Sequence, residues 1–316
     1  PFSGNCDLIK FIKDIDQYNI QYYDIEPKLD YIIQKDTILN PPDYSNKFIL
    51  TNPPYLARNK SKDKILFDKY LQNDLYKCFL YNLIDNKCLG GIIIIPLNFW
   101  SSIRKNDINL RKDFLNIYNI LHINIFEERV FNDTSYTICS FQFELKKTIE
   151  LDLDLDKMNI NDSINIIIYP SKKEMKIILN NENNYIIGGE IYKLLQNKKY
   201  IINRLTSKNK QNTNILVKCI DDNANNKIKL SYVSDELIYI DETPNLSSRT
   251  YATLIIEPEL NKDEQLNLVN NFNIFLNEHR EKYNSLFLTN YRESTDIARK
   301  RISFDLVYKI VNHLLN

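Results

Sequence analysis

The four residues Asn52-Pro53-Pro54-Tyr55 combine groups that could activate a weakly nucleophilic amine. An amine attached to an aromatic ring, or the nitrogen of an amide, is a poor nucleophile because its lone pair is delocalised. The carboxamide oxygen of Asn52 and a carbonyl held by the two prolines can both accept hydrogen bonds from such an amine, which favours a more tetrahedral nitrogen. The prolines fix φ, so the carbonyl is presented without a conformational search. Tyr55 adds an aromatic face on which a flat ring can stack.

Polar residues follow each of the short strands predicted around this motif. Three apolar runs predict these strands and their polar ends: Ile20–Tyr23 before Asp24, Tyr31–Ile33 before Asp36, and Phe48–Leu50 before Asn52. Ligands of open α/β sheets bind outside the carboxyl ends of the strands. A carboxylate after the second strand of such a sheet suits ribose hydroxyls, and one after the third suits the amine of an adenine ring. For any one of these acids, capping of a helix N-terminus is the alternative role.

The remaining elements of residues 1–147 alternate between helix and strand. Phe2-Ser3-Gly4-Asn5-Cys6-Asp7 predicts a strand-to-helix turn. Apolar spacing then predicts helices over Asp7–Asp16, about Lys62–Asn86 (ended by Gly90-Gly91) and Arg111–Tyr118. Further strands are predicted over Ile92–Ile95, Leu121–Phe126 and Tyr136–Leu145. Strands separated by helices predict an α/β fold with a doubly wound, parallel, Rossmann-like sheet.

The composition of the sequence changes near Glu150, where alternating Leu and Asp residues precede Asn-rich segments. We interpret 148–184 as a linker or peripheral hairpin, with a surface insertion within one domain as the alternative. Residues 185–316 predict a separate α+β module. Its predicted strands are Ile215–Ile220, Leu237–Ile240 and Tyr251–Ile256, and its predicted helices are Glu264–Tyr283 and Phe304–Leu315.

Composition argues against several classes of protein. The 316 residues include 41 basic and 41 acidic side chains, so contact with a nucleic acid would depend on local basic patches. Five scattered cysteines and three histidines form no zinc-ligand or C-x-x-C pattern, which predicts no metal and favours a reducing compartment. The longest apolar run, Gly90–Leu97, is too short to span a bilayer, and no signal peptide is recognisable. We therefore expect no membrane contact and a cytoplasmic or nucleoid-associated location, without secretion.

The order of these motifs resembles that of the N6-adenine DNA methyltransferases of restriction–modification systems. Phe2-x-Gly4 is similar to the family's F-x-G-x-G cofactor loop, and Asn52-Pro53-Pro54-Tyr55 is similar to its catalytic motif. The cofactor loop precedes the catalytic motif, and the extra module follows both, as in the gamma class. The resemblance covers roughly residues 1–146 and implies transfer of a methyl group from S-adenosylmethionine to adenine N6 in double-stranded DNA, with the base flipped out of the helix.

The resemblance also implies roles for individual residues. Cofactor contacts are expected from the loop and the strand ends: Phe2, Gly4, Asp7, Asp24 with Ile25, Asp36 with Thr37, and Asn52. Asp24 is expected at the cofactor ribose and Asp36 at the cofactor adenine. Val130-Phe131-Asn132 is similar to a late motif of the family, which implies that Phe131 clamps the flipped base together with Tyr55.

Two features depart from the family pattern. Cys6 stands where the family has a second glycine, which is acceptable at negative φ and costly at positive φ. In addition, Pro1 falls within the motif, so we expect the family's first strand and the segment that contacts the cofactor's methionine end to lie upstream of this chain. Both features favour an alternative in which the protein is a degenerate, non-catalytic DNA-binding or scaffold protein.

The C-terminal module is interpreted by its position as a target-recognition domain for DNA. Its candidate DNA contacts are Arg249, Arg292, Arg299 and Arg301, although each could instead lie on a solvated helix face. A cognate restriction endonuclease is an expected partner. Similar catalytic loops also serve enzymes that methylate a glutamine amide of release factors or adenine in ribosomal RNA. The large C-terminal module favours DNA over those substrates.

Overall fold

The computed structural model describes residues 1–10, 12–131, 136–146, 163–222, 227–242, 250–291 and 299–316. The chain divides into two compact units, Pro1–Asn180 and Asn181–Asn316. Among the described helices, none is both long enough and apolar enough to cross a lipid bilayer.

The first unit contains two sheets. Strands β1 (Tyr23–Asp24) and β2 (Ile33–Gln34) form a short parallel pair. The main sheet has six strands in the order β3-β4-β6-β5-β7-β8. Their bounds are β3 Phe48–Thr51, β4 Gly90–Pro96, β5 Tyr118–Phe126, β6 Ile138–Leu145, β7 Ile164–Tyr169 and β8 Lys173–Ile177.

The main sheet is mixed, so the prediction of a parallel, doubly wound sheet is wrong in this respect. The pairs β3–β4 and β5–β7 are parallel, whereas β6 runs antiparallel to both β4 and β5, and β8 runs antiparallel to β7. Parallel neighbours need a crossover of a dozen or more residues, and the connection 127–137 between β5 and β6 is shorter than that. The segment 164–177, within the predicted linker or hairpin, supplies β7 and the edge strand β8.

The helices of the first unit differ from the sequence prediction in two places. They are α1 (Ile65–Tyr70), α2 (Leu75–Asp85) and α3 (Lys105–Ile117). The helix predicted over 62–86 is divided because Leu71 adopts a left-handed conformation, with φ 51°, at the end of α1. The helix predicted over 7–16 is replaced by two short 3-10 turns, and Asp14 between them has φ 53°. Gly90-Gly91 begins β4 and does not end a helix.

An aromatic core joins α2 and α3 to the sheet. Phe114 of α3 packs against Tyr118 and Phe143, with ring centroids 4.8 and 5.3 Å away. Tyr118 is fully buried, and its hydroxyl donates to the Leu83 carbonyl at 2.7 Å while it accepts from the Cys88 amide at 3.1 Å. Because its polar atom is satisfied, this buried tyrosine stabilises the joint between α2 and the sheet.

The second unit is an α+β structure. Its antiparallel sheet has the order β11-β10-β12-β9, and β13 and β14 form a separate pair. The bounds are β9 Ile201–Arg204, β10 Ile215–Lys218, β11 Lys229–Tyr232, β12 Tyr251–Glu257, α4 Lys262–Lys282, β13 Thr289–Tyr291, β14 Arg299–Arg301 and α5 Phe304–Leu314. Buried residues of α4 and α5 share one apolar cluster with the sheet.

Local capping signals in the second unit agree with the helices that form. Asn261 and Glu264 make a reciprocal capping box at the start of α4, and the Ser303 hydroxyl accepts from the Leu306 amide at the start of α5. The strand predicted over Leu237–Ile240 is wrong. Leu237 ends a 3-10 turn and is 63% exposed, so this apolar run has no buried face to pair.

Gly91 provides a test of the β3–β4 pairing. A Cβ atom at this position would lie 2.1 Å from the backbone oxygen of Ile49 on β3. We expect Gly91→Ala to lower the free energy of unfolding of the first unit by about 3 kcal/mol, because backbone atoms must move apart. Thermal unfolding followed by the emission of Trp100, the single tryptophan of the chain, reports on this unit. An unchanged midpoint would contradict the parallel register.

Candidate active site

The first residues of the chain lie between the ends of β1 and β3. The Ser3 amide donates to the Tyr23 carbonyl at 3.0 Å, and the Thr51 hydroxyl donates to the Pro1 carbonyl at 2.9 Å. Phe2 packs edge-on against Phe79 of α2, with ring centroids 5.0 Å apart. The loop is therefore fixed on both sides at the carboxyl edge of the strands.

Asp24 and Asp36 both hold nearby backbone amides. Asp24 accepts from the Gly4 amide at 2.8 Å through Oδ2 and from the Glu26 amide at 2.9 Å through Oδ1. Asp36 accepts through Oδ1 from the amides of Ile38 and Leu39, both at 3.0 Å. Asp36 thus stabilises a turn, and the described residues between it and β3 contain no helix, so it does not cap a helix N-terminus. A carboxylate has about four acceptor positions, so neither residue is saturated by these bonds.

Asn52 follows β3 directly, and its side chain is engaged within the motif. The Tyr55 hydroxyl lies 2.6 Å from Asn52 Oδ1 and 3.0 Å from the Ile94 carbonyl, and it can donate its single hydrogen to either oxygen. Pro53 is buried and Pro54 is exposed. The carboxamide oxygen that could bind an amine is therefore shared with Tyr55 in this state of the protein.

A cavity of about 1100 Å³ connects these groups. Its wall contains every residue predicted to contact a cofactor: Phe2, Gly4, Asp7, Asp24, Ile25, Asp36, Thr37 and Asn52. Pro54 and Phe131 also line it, whereas Pro53 and Tyr55 do not. The volume lies just above the roughly 300–1,000 Å³ that is typical of small-molecule and cofactor sites.

Two buried hydroxyl groups in the cavity wall lack partners. Burial raises the pKa of the Tyr44 phenol, and the neighbouring Thr37 hydroxyl opposes the rise. The two groups nevertheless do not form a hydrogen bond of normal geometry, and neither oxygen has another partner among the described residues. Buried polar atoms without partners cost free energy, so these two hydroxyl groups destabilise the cavity wall.

Cys6 has a positive φ, the backbone conformation that we expected to be costly for a cysteine at this position. Its φ is 59° and its ψ is 28°, which is the left-handed region, and Gly4 has φ 52° in the same loop. For a residue other than glycine this conformation costs about 1–2 kcal/mol. The loop has nevertheless kept the turn, with the Cys6 amide donating to the Ser3 carbonyl at 2.7 Å.

Aromatic rings surround Tyr55 on the side away from the cofactor loop. Tyr76 and Tyr136 pack edge-on against it, with ring centroids 6.1 and 6.2 Å away. Tyr76 also packs edge-on against Phe99, at 6.3 Å. The sequence singled out Tyr55 and Phe131 as stacking residues but gave no reason to choose Tyr76 or Tyr136, which come from α2 and from the residues before β6.

Charged side chains are buried behind these rings, and the sequence did not single them out. Lys77 Nζ donates to Asp107 Oδ1 at 2.6 Å, and the two side chains are 7% and 2% exposed. Burial lowers the pKa of Lys77, and Asp107 opposes that change. Arg111 is fully buried and donates to the carbonyls of Phe99 and Ser102. Burial lowers its pKa to about 10.

The candidate DNA contacts of the second unit are only partly described. Arg249 and Arg292 lie outside the described residues. Arg299 and Arg301 lie at the two ends of β14 and are both half-buried. Arg299 forms an ion pair with Asp222 at 3.8 Å, which offsets its charge. In the described part of the chain, no group of His, Cys, Asp and Glu side chains is arranged to hold a metal ion.

No protein-family model and no curated protein matches the sequence. Solved structures with some likeness to the chain come from restriction–modification enzymes. One is a type I methyltransferase subunit from Streptococcus thermophilus, with 16% identity over 44% of this chain and 30% of that chain, at a TM-score of 0.30. Another is the type IIG restriction endonuclease BpuSI, with 13% identity over 59% of this chain and 28% of that chain, at a TM-score of 0.36.

A third is the EcoKI M protein, a type I restriction enzyme component, with 12% identity over 81% of this chain and 52% of that chain, at a TM-score of 0.30. The chain thus spans between about a quarter and a half of the length of these three proteins. Likeness at these TM-scores is too weak to assign a fold or a function.

Tyr55→Phe tests the internal hydrogen bond of the motif. We expect the free energy of unfolding of the first unit to fall by about 1 kcal/mol, because a buried hydroxyl contact is lost while the ring remains. For a unit of this size that corresponds to a midpoint lower by roughly 2–4 °C, measured by Trp100 emission. The matched control is Tyr18→Phe, since Tyr18 is 63% exposed and should leave the midpoint unchanged. Equal midpoints for Tyr55→Phe and wild type would contradict the contact.

Proposed function

We propose that the first unit is the catalytic part of an S-adenosylmethionine-dependent DNA methyltransferase that acts on adenine N6. The observation that carries this proposal is the shared cavity. Gly4, Asp24 and Asp36 line the same space as Asn52 and Pro54, near the carboxyl ends of β1, β2 and β3. A donor group and an acceptor amine could therefore meet there.

The cavity fits the proposed cofactor in its chemistry as well as in its size. The Gly4 loop offers close backbone approach, and Asp24 and Asp36 retain acceptor capacity for ribose hydroxyls and for an adenine amine. The orphaned hydroxyls of Thr37 and Tyr44 add polar groups to the same wall. When bound, S-adenosylmethionine supplies a sulfonium methyl group, an electrophile that requires no metal.

The residues of the motif would act on the amine of the acceptor. Asn52 Oδ1 accepts one of its hydrogens, and the carbonyl of the Pro-Pro segment accepts the other, which frees the nitrogen lone pair for in-line attack. For Asn52 to do so, the Tyr55 hydroxyl must give up its contact with Oδ1, and the Ile94 carbonyl at 3.0 Å remains as its acceptor. Phe131, in the cavity wall, is proposed to stack on the flipped base with Tyr55.

We further propose that the second unit reads the target sequence in duplex DNA and that a restriction endonuclease acts with this protein. The second unit follows the catalytic unit in the chain and has an α+β fold, which supports the proposal that it reads the target sequence. Arg299 and Arg301 remain candidates for phosphate or base contacts. Release-factor glutamine and ribosomal RNA adenine are the competing substrates, since both present an equally deactivated nitrogen.

Substitution of Asn52 tests the catalytic assignment. We expect Asn52→Ala to lower kcat for methyl transfer by roughly 100-fold or more, because an acceptor aimed at the reacting amine is removed. Transfer of a radioactive methyl group to unmethylated genomic DNA, which contains all short target sequences, is the measurement. A release-factor domain and ribosomal RNA are tested in parallel. Wild-type activity on either of these and none on DNA would overturn the DNA assignment, and undiminished activity of Asn52→Ala would overturn the catalytic one.

Asp24→Ala separates cofactor binding from catalysis. We expect its affinity for S-adenosylhomocysteine, measured by calorimetry, to fall about 10- to 100-fold, since hydrogen bonds to a charged group contribute roughly 1.5–3 kcal/mol. At saturating cofactor, kcat should change much less than in Asn52→Ala. The matched control is Asp30→Ala, because Asp30 is exposed and does not line the cavity. Equal affinities for Asp24→Ala and Asp30→Ala would show that Asp24 does not hold the cofactor.

A further inference from the structure

The segment that follows Tyr55 is paired with the start of α2. The pairing consists of hydrogen bonds from the Leu75 amide to the Leu56 carbonyl at 3.1 Å and from the Arg58 amide to the Asn73 carbonyl at 2.9 Å, and of an antiparallel bridge between Ala57 and Asp74. The position of Asp74 is therefore coupled, through a few residues of backbone, to that of the catalytic motif.

The carboxylate of Asp74 is buried without being neutralised. Asp74 is 8% exposed, and its Oδ1 has no hydrogen-bond partner among the described residues. It occupies the N-cap position of α2, yet its side chain makes no capping hydrogen bond of normal geometry, although the nearby amides of Tyr76 and Leu75 favour its charge. Burial raises its pKa from 3.8 to about 6. Above that pH the protein keeps an ionised group where ionisation is unfavourable.

The cation whose charge acts on Asp74 is already engaged elsewhere. Lys77, one turn along α2, directs its ammonium group to Asn73 Oδ1 at 2.9 Å and to Asp107 Oδ1 at 2.6 Å. The other groups that face Asp74 are Tyr76 and Cys78 on α2, Asp107 on α3, and Tyr136 before β6. Asp107 is acidic, so its charge adds to the cost of ionising Asp74.

The two tyrosines beside Asp74 are the rings that pack edge-on against Tyr55. Burial raises the pKa of the Tyr76 and Tyr136 phenols, and the charge of Asp74 raises both further. Their interplanar angles with Tyr55 are 86° and 87°. The edge of an aromatic ring is positive, so a carboxylate in a poorly solvated site attracts it. The charge of Asp74 therefore acts on two rings that contact Tyr55.

We propose that ionised Asp74 is a positioning residue for the methyl transfer proposed above, holding Tyr76 and Tyr136 so that Tyr55 presents its face to the target base. The inference rests on the proposed function but adds a residue that no motif contains. It also predicts that methyl transfer loses rate as the pH falls through about 6, because protonated Asp74 no longer attracts the rings. If Asp74 only capped α2, Asp74→Asn would keep the rate of the wild type, since asparagine caps equally well.

The unliganded protein offers the first test, which is independent of any substrate. Trp100 packs on Phe99 at 4.9 Å, and Phe99 packs on Tyr76, so its emission reports on the rings beside Asp74. We expect wild-type emission to titrate with a midpoint near pH 6, and Asp74→Asn to abolish that transition. The matched control is Asp63→Asn at the exposed start of α1, where Asp63 accepts from the Ile65 amide. A transition that persists in Asp74→Asn, or no transition in the wild type, would overturn the proposal.

The stability of the protein provides a second test, because Asp74→Asn should raise stability although it should lower the rate of methyl transfer. Because folding raises the pKa of Asp74, the native state binds more protons than the unfolded state between about pH 4 and pH 6, and stability falls as the pH rises through this window. Asp74→Asn should therefore have a higher unfolding midpoint than wild type at pH 7.5, with a smaller difference at pH 5. A lower midpoint at pH 7.5 would mean that the carboxylate is stabilising, contrary to the proposal.

Kinetics then tests the link to the reaction. At pH 7.5 we expect Asp74→Asn to lower kcat about tenfold with little change in the KM for cofactor, and to flatten the acidic limb of the pH–rate profile. Asp74→Glu, which keeps the charge, should retain more activity than Asp74→Asn. If the wild-type protein methylates its substrate and Asp74→Asn has the same pH–rate profile, the positioning role alone is refuted. Loss of the Trp100 transition in a protein that methylates nothing would instead refute the proposed function.

Discussion

The hydrogen bond from the Gly4 amide to the Asp24 carboxylate, 2.8 Å long, is the constraint on which the candidate site depends. It fixes a strained loop against the end of β1, while the Thr51 hydroxyl holds Pro1 against the end of β3. The β1–β2 pair and the main sheet share no strand pairing among the described residues, and this loop connects the end of β1 to the end of β3. The cavity lies between these strand ends. Left-handed conformations at Gly4 and Cys6 are tolerated because these bonds over-determine the turn.

Some buried polar atoms in the cavity wall and near the rings around Tyr55 lack hydrogen-bond partners within the part of the chain that the structure describes. Thr37, Tyr44 and Asp74 bury oxygen atoms that no described residue satisfies. Elsewhere in the unit a buried polar residue such as Tyr118 has both a donor and an acceptor. Proteins usually satisfy buried polar atoms, and exceptions such as these lower the stability of the fold.

The second unit balances its charges internally. Arg280 pairs with Asp221 at 2.5 Å, Arg204 with Asp241 at 3.4 Å, and Lys218 with Asp222. These ion pairs limit the arginines that could approach a phosphate backbone without first breaking a contact. Exposed lysines of the turn at Lys208 and Lys210 carry no such cost.

Local rules in the sequence determined the positions of most strands, the capping of α4, and the arrival of Asn52 at the end of β3. They could not determine that β6 enters the sheet antiparallel, because strand direction depends on which neighbour the chain reaches after a short connection. They also could not show that Leu71 would divide a helix that apolar spacing makes continuous. Tyr76 and Tyr136 meet Tyr55, and Asp74 meets Ala57, only through packing of α2 and the residues before β6. Their proximity was therefore decided by tertiary contacts between residues far apart in the chain.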